Sequence, residues 1–81
     1  NNYPNPFNPS TQISFEIPNS NHVRLEVFDA LGRKISTLIN APMATGKHSV
    51  TFNAEGLPSG LYIARLTAGT SRYIKKMMLI K

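Results

Sequence analysis

Two histidines, four carboxylates and no cysteine are all that this 81-residue chain offers to acid–base, nucleophilic or metal chemistry. A nucleophilic mechanism needs a nucleophile, a base and a group that orients the base. His22 and His48 are the sole imidazoles, and they stand far apart in the chain. His22 follows Asn21 beside a turn and reads as an exposed turn residue. His48 alternates with Val50 and Phe52, which points to a histidine satisfied by backbone. Without cysteine the two make a poor zinc set. Glu16 and Glu26 fall on the polar side of alternating stretches. Such residues could face each other across neighbouring strands as an acid–base pair. The plainer expectation for each is solvation or a Lys or Arg partner. Asp29 stands before Ala30-Leu31-Gly32 and most simply opens a turn. The five glycines are dispersed, so no phosphate loop is expected. The asparagine-rich start supplies amides but no carboxylate for calcium. The chain is therefore expected to be no enzyme, with no cofactor and no metal.

The elements that would position these residues read as strands. Residues 11–17 place Ile13, Phe15 and Ile17 on one face, opposite Gln12, Ser14 and Glu16, a strict period of two. Residues 22–29 repeat the pattern, with Val23, Leu25 and Val27 inward and Arg24 and Glu26 outward. Phe28 breaks it by falling on the polar side. A tight connection follows, with Gly32 expected at positive φ. Residues 34–40, with Ile35, Leu38 and Ile39, read as a third strand, and residues 41–46 as a loop. Residues 47–53 alternate again, and residues 53–59 form a loop marked by Gly56 and Pro58. Residues 60–68 and 72–80 are apolar and strand-like, joined by a two-residue hairpin at Gly69-Thr70.

Three prolines and four asparagines in residues 1–10 mark an extended lead-in and first edge segment, which Tyr3 and Phe7 could pin to the domain. Residues 11–81 are expected to form the domain proper. Six strands, seven with the lead-in, predict an all-β, two-layer antiparallel sandwich, because one small alternating sheet leaves its apolar face uncovered. A closed barrel is the alternative.

The formal charge of +5 is uneven along the chain. Residues 1–64 balance Arg24, Arg33, Lys34 and Lys47 against Glu16, Glu26, Asp29 and Glu55. Residues 65–81 carry Arg65, Arg72, Lys75, Lys76 and Lys81 with no acid. The basic excess is thus expected along the last strand only, whereas a nucleic-acid binder spreads basic residues over a face with aromatics. No nucleic-acid partner is expected. No apolar run reaches the roughly 18–20 residues of a helical membrane span. The absence of an initial Met and of a signal peptide suggests an excised piece of a longer chain. Carbohydrate binding or a purely structural role beside a secreted enzyme is the rival reading. The aromatics, Tyr3, Phe7, Phe15, Phe28, Phe52, Tyr62 and Tyr73, include no Trp and form no evident platform.

Three blocks resemble one family. Tyr3-Pro4-Asn5-Pro6-Phe7-Asn8-Pro9 resembles the start of the C-terminal sorting domains of the type IX secretion system of Bacteroidota-related bacteria. Val27-Phe28-Asp29-Ala30-Leu31-Gly32-Arg33 is similar to that family's strand and Leu-Gly turn. Gly56-Leu57-Pro58-Ser59-Gly60-Leu61-Tyr62, with Lys75-Lys76-Met77-Met78-Leu79-Ile80-Lys81, is similar to its Gly-x-Tyr strand and lysine-rich terminal strand. The blocks occur in order over the whole chain and resemble the commoner, type A form.

The resemblance implies an immunoglobulin-like sandwich of about seven strands and a sorting signal for an N-terminal cargo domain. The outer-membrane secretion machinery would read it in the periplasm. Cleavage and attachment at the cell surface, or release as a secreted protein, would follow in many members. It implies recognition roles for Gly60, Tyr62, Lys75, Lys76, Leu79, Ile80 and Lys81, and a positioning role at the start of the domain for Pro4, Pro6 and Phe7. A structural role is the simpler expectation for Gly60 and Tyr62. The terminal strand is also expected to permit weak association with a second copy.

Overall fold

A computed structural model describes residues 10–80. Six strands follow one another: β1 (Ser10–Ile17), β2 (Asn21–Asp29), β3 (Lys34–Met43), β4 (Gly46–Asn53), β5 (Gly60–Ala68) and β6 (Ser71–Leu79). β1 pairs with β4, and the other four lie in the order β3-β2-β5-β6, with every pairing antiparallel. The two sheets pack as a sandwich and share no ladder, so the barrel alternative is excluded. The adjacency of β1 to β4 and of β2, β5 and β6 matches the B–E and C-F-G pairings of immunoglobulin-like sandwiches. The expected seventh strand rested on the lead-in, of which Ser10 opens β1 and residues 1–9 lie outside the described residues.

Alternation explains why the sheets face each other. Ile13 and Ile17 of β1 and Phe52 of β4 meet Val23, Leu25 and Val27 of β2 and Tyr62, Ala64, Leu66 and Ala68 of β5 in one buried cluster. Ile17, Leu25, Val23 and Val27 are the largest side chains wholly removed from solvent. Burying each contributes roughly 1.5–3 kcal/mol before chain entropy is counted. β5 turns Leu61 and Ile63 to the outside, so its apolar residues serve two faces.

β3 departs from the expected pattern. It runs on to Met43, because Val23, His22 and Asn21 at the start of β2 pair with Ala41, Pro42 and Met43. Pro42 lacks an N–H, which an edge strand tolerates. The expected loop over residues 41–46 therefore shrinks to Ala44 and Thr45 between strands. The register slips twice along β2 and β3, beside Leu38 and beside Ile35. These bulges are how a strand whose apolar residues do not strictly alternate can still pair.

Candidate functional site

The β2–β3 hairpin is built by Asp29. Its carboxylate accepts hydrogen bonds from the backbone N–H groups of Leu31 (3.0 Å) and Arg33 (2.9 Å) and from Arg33 Nε (2.8 Å). The Arg33 backbone N–H contributes most to holding the Asp29 carboxyl below its ordinary value, against a burial effect of opposite sign. Gly32 supplies the positive φ of 85° that the turn requires. Leu31 is left 79% exposed at the tip.

Gly60 and Tyr62 begin β5 beside this hairpin. Gly60 has φ 152°, a backbone region that side chains disfavour, and lies opposite Leu79 of β6. Tyr62 is buried, and its hydroxyl donates to the Pro58 carbonyl at 2.7 Å. A tyrosine at the start of this strand, bonded back to backbone just upstream, is the tyrosine corner of immunoglobulin-like sandwiches. The expected structural role of Tyr62 has a physical cause here. Asp29, Leu31, Leu57, Pro58 and Tyr62 line a shallow groove of about 260 Å³. The Leu-Gly turn and the Gly-x-Tyr block, remote in sequence, thus meet at one end of the sheet. The last residues of β6 reach the same end, leaving Ile80 exposed.

The terminal residues divide between faces. Lys75 lies opposite Ala64 on the side facing the second layer, whereas Lys76 lies opposite Ile63 on the outer side. Both are exposed. Leu79 packs against the core. Lys81, Pro4, Pro6 and Phe7 lie outside the described residues.

Glu26 takes the second of its two expected fates, an Arg and a Lys partner, and not solvation. It points outward yet is 5% exposed. Arg65 Nη2 donates to its Oε1 at 3.0 Å and Lys34 Nζ to its Oε2 at 3.4 Å. The Arg65 guanidinium also lies over the Phe28 ring, 4.6 Å from its centroid. The Arg65 hydrogen bond pulls the Glu26 carboxyl below its ordinary value, burial opposes this, and Lys34 adds to the lowering. The signal was the placement of Phe28 on the polar side of β2, but its meaning depended on Arg65 being the cross-strand neighbour.

No acid–base pair forms from Glu16 and Glu26, because β1 and β2 belong to different sheets. His22 Nε2 is hydrogen-bonded to Asn40 Oδ1 at 2.7 Å. His48 donates from Nε2 to the Ala44 carbonyl at 2.8 Å and stacks on Phe15. Its expected backbone partner is therefore present. Among the described residues no three of His, Cys, Asp and Glu gather where a metal could be held.

The basic residues are not confined to the last strand. The register of the four-stranded sheet sets Lys34, Phe28, Ile63 and Lys76 in one row across its outer face. Thr37, Glu26, Arg65 and Ile74 form the next row, and Asn40, Arg24, Thr67 and Arg72 a third. Counting charges along the chain hid this, because Arg24 and Lys34 belong to the stretch that is neutral overall.

Compared with known proteins, residues 1–81 match the family model described as secretion system C-terminal sorting domain. No curated protein and no solved structure matches the chain.

Proposed function

Since the chain belongs to the C-terminal sorting domains of type IX secretion, we propose that it is the non-catalytic export address of a larger cargo protein, read at strand β6. The observation that supports this reading is the contrast between the two edges of the four-stranded sheet. β3 carries two bulges and Pro42, devices that discourage a further strand. β6 pairs with β5 along its whole length without a register shift, contains no proline, and has no strand on its other edge among the described residues. An open, regular edge can accept a strand from a partner, with backbone hydrogen bonds for affinity and side chains for selection. Arg72, Lys75 and Lys76 would favour an acidic partner there. They would also weaken the pairing of two β6 strands from separate copies.

In this reading the outer-membrane secretion machinery is the partner, met in the periplasm, and the cargo precedes the domain in the same chain. Cleavage and surface attachment or release then follow export. The test fuses residues 1–81 to an inert periplasmic reporter in a host that has the machinery. The tagged reporter is expected outside the cell. Retention in the periplasm equal to that of an untagged reporter would refute the proposal.

A further inference from the structure

The outer face of the β3-β2-β5-β6 sheet carries Arg24, Lys34, Arg65, Arg72 and Lys76 against one acid, Glu26. Glu26 is already buried between Arg65 and Lys34. Arg24, Arg72 and Lys76 have no ion-pair partner among the described residues. Between these cations lie Ile63 and Phe28, half-buried, and Ile74, 61% exposed, and the apolar strip continues past Lys76 to Met78, 65% exposed. We infer that this face is a docking surface for a protein whose own surface sets carboxylates around an apolar centre.

Four arguments select that partner. The face holds one carboxylate already, hydrogen-bonded by Arg65 Nη2 and Lys34 Nζ, and the uncompensated Arg24 and Arg72 flank Thr67 in a row that can seat others. A bare polyanion would leave the apolar strip unused, and of the two aromatic rings of the face Phe28 is covered by Arg65 and the His22 imidazole is held at the margin by Asn40, so the face has no free stacking platform. A second copy is repelled by like charge. Finally, the apolar strip within a charged margin is the anatomy of a protein interface. Four strands of about nine residues present on the order of 500–600 Å² in projection, by strand spacing and rise. That approaches the roughly 800 Å² each partner contributes to a standard complex.

The inference rests on the sorting reading for where the partner is met, and not for its chemistry. Binding and export therefore test it separately. The 81-residue chain is titrated with three probes and followed by amide NMR shifts: a peptide alternating Glu with Val, phosphatidylglycerol vesicles, and oligothymidylate. The peptide is expected to shift residues of the three rows, with affinity falling as salt is raised. The triple variant R24Q/R72Q/K76Q should bind at least tenfold more weakly. S14E/S49E/T51E, which reaches the same net charge through the opposite face, should bind within twofold of the parent. R72Q alone, tested in case the triple variant does not fold, should weaken binding about threefold. Equal or tighter binding of vesicles or oligothymidylate would overturn the inference, as would undiminished peptide binding by R24Q/R72Q/K76Q or by R72Q. In the export assay the triple variant should lose tenfold or more of the reporter that the parent tag delivers. Full export by that variant beside a working parent tag would overturn the face and leave the sorting role standing. A parent tag that exports nothing would refute the sorting role while the titration still decides the face.

Discussion

The two outer faces of this sandwich are made from the same strand geometry and differ almost completely in chemistry. Outside β1 and β4, the register brings Gln12 to Thr51, Ser14 to Ser49 and Glu16 to Lys47, a polar face with balanced charge. Outside the larger sheet, cations and apolar residues share three rows around one buried acid. Solvent alone accounts for the first face. The second exposes Ile74 and Met78 and concentrates like charge, both of which disfavour a face that serves only solubility. The difference teaches that charge in a small β-domain should be counted by face. Counted along the chain, the excess sat wholly in residues 65–81. Counted by face, two residues from the neutral stretch join it.

The comparison can be broken most severely at β6. Deleting residues 77–81 removes Met77 and Leu79, which pack against the core, together with the end of the β6 edge. Export of the reporter is expected to fall to the untagged level, measured as its extracellular fraction. Circular dichroism of the truncated chain separates loss of signal from loss of fold, and normal export would show that this end is not read.

A smaller break targets the buried acid that organises the basic face. Glu26→Gln leaves Arg65 without its charged partner, and Arg65 Nε is already buried with no partner. The amide oxygen can still accept from Arg65, but the charge and the acceptor for Lys34 are gone, and losing a hydrogen bond between charged groups costs about 2 kcal/mol. Denaturant unfolding should register that loss, whereas Lys47→Gln on the polar face should stay within about 0.5 kcal/mol of the parent. Equal effects would erase the distinction between the faces.

The same contrast has a pH signature. The Glu26 carboxyl is held below its ordinary value of 4.5, and that of Asp29 below 3.8. A carboxylate with a lowered folded value stabilises the fold fully above its unfolded value. That contribution disappears as pH falls through the folded value. The melting temperature should therefore hold above about pH 5 and fall as pH drops below 4.5 and then below 3.8. Glu26→Gln should make this fall shallower. A slope identical to the parent's would mean that Glu26 is not the titrating group.

The smallest effect is expected at Tyr62→Phe, which keeps the ring and removes the hydrogen bond to the Pro58 carbonyl. A loss of about 1 kcal/mol corresponds to roughly 4–8 °C in melting temperature for a domain of this size. Export by the folded variant should match the parent. A selective export defect at unchanged stability would give the hydroxyl a recognition role.

Much of the fold was legible before any coordinates. Five of the six strands lie within a residue or two of their expected bounds, because a period of two and a turn residue are local signals. The inward triplets Ile13, Phe15, Ile17 and Val23, Leu25, Val27 follow from the same alternation. β3 was harder, since Ile35, Leu38 and Ile39 do not alternate, and its extension past Asn40 depends on β2 offering a partner. His48 was legible as a backbone-satisfied residue, although the identity of its acceptor, Ala44, was not.

What the sequence by itself determined is the set of strands, the face on which most residues of a strand lie, and the family to which the chain belongs. Only the tertiary structure decided which strands are neighbours. Neighbours decide that Glu26 meets Arg65, 39 positions away, and not Glu16. They also place the Leu-Gly turn beside the Gly-x-Tyr block and gather five cations on one face. The physical reason is range. Alternation comes from the backbone geometry of a single strand, whereas register is settled by burial of two apolar faces across the whole chain.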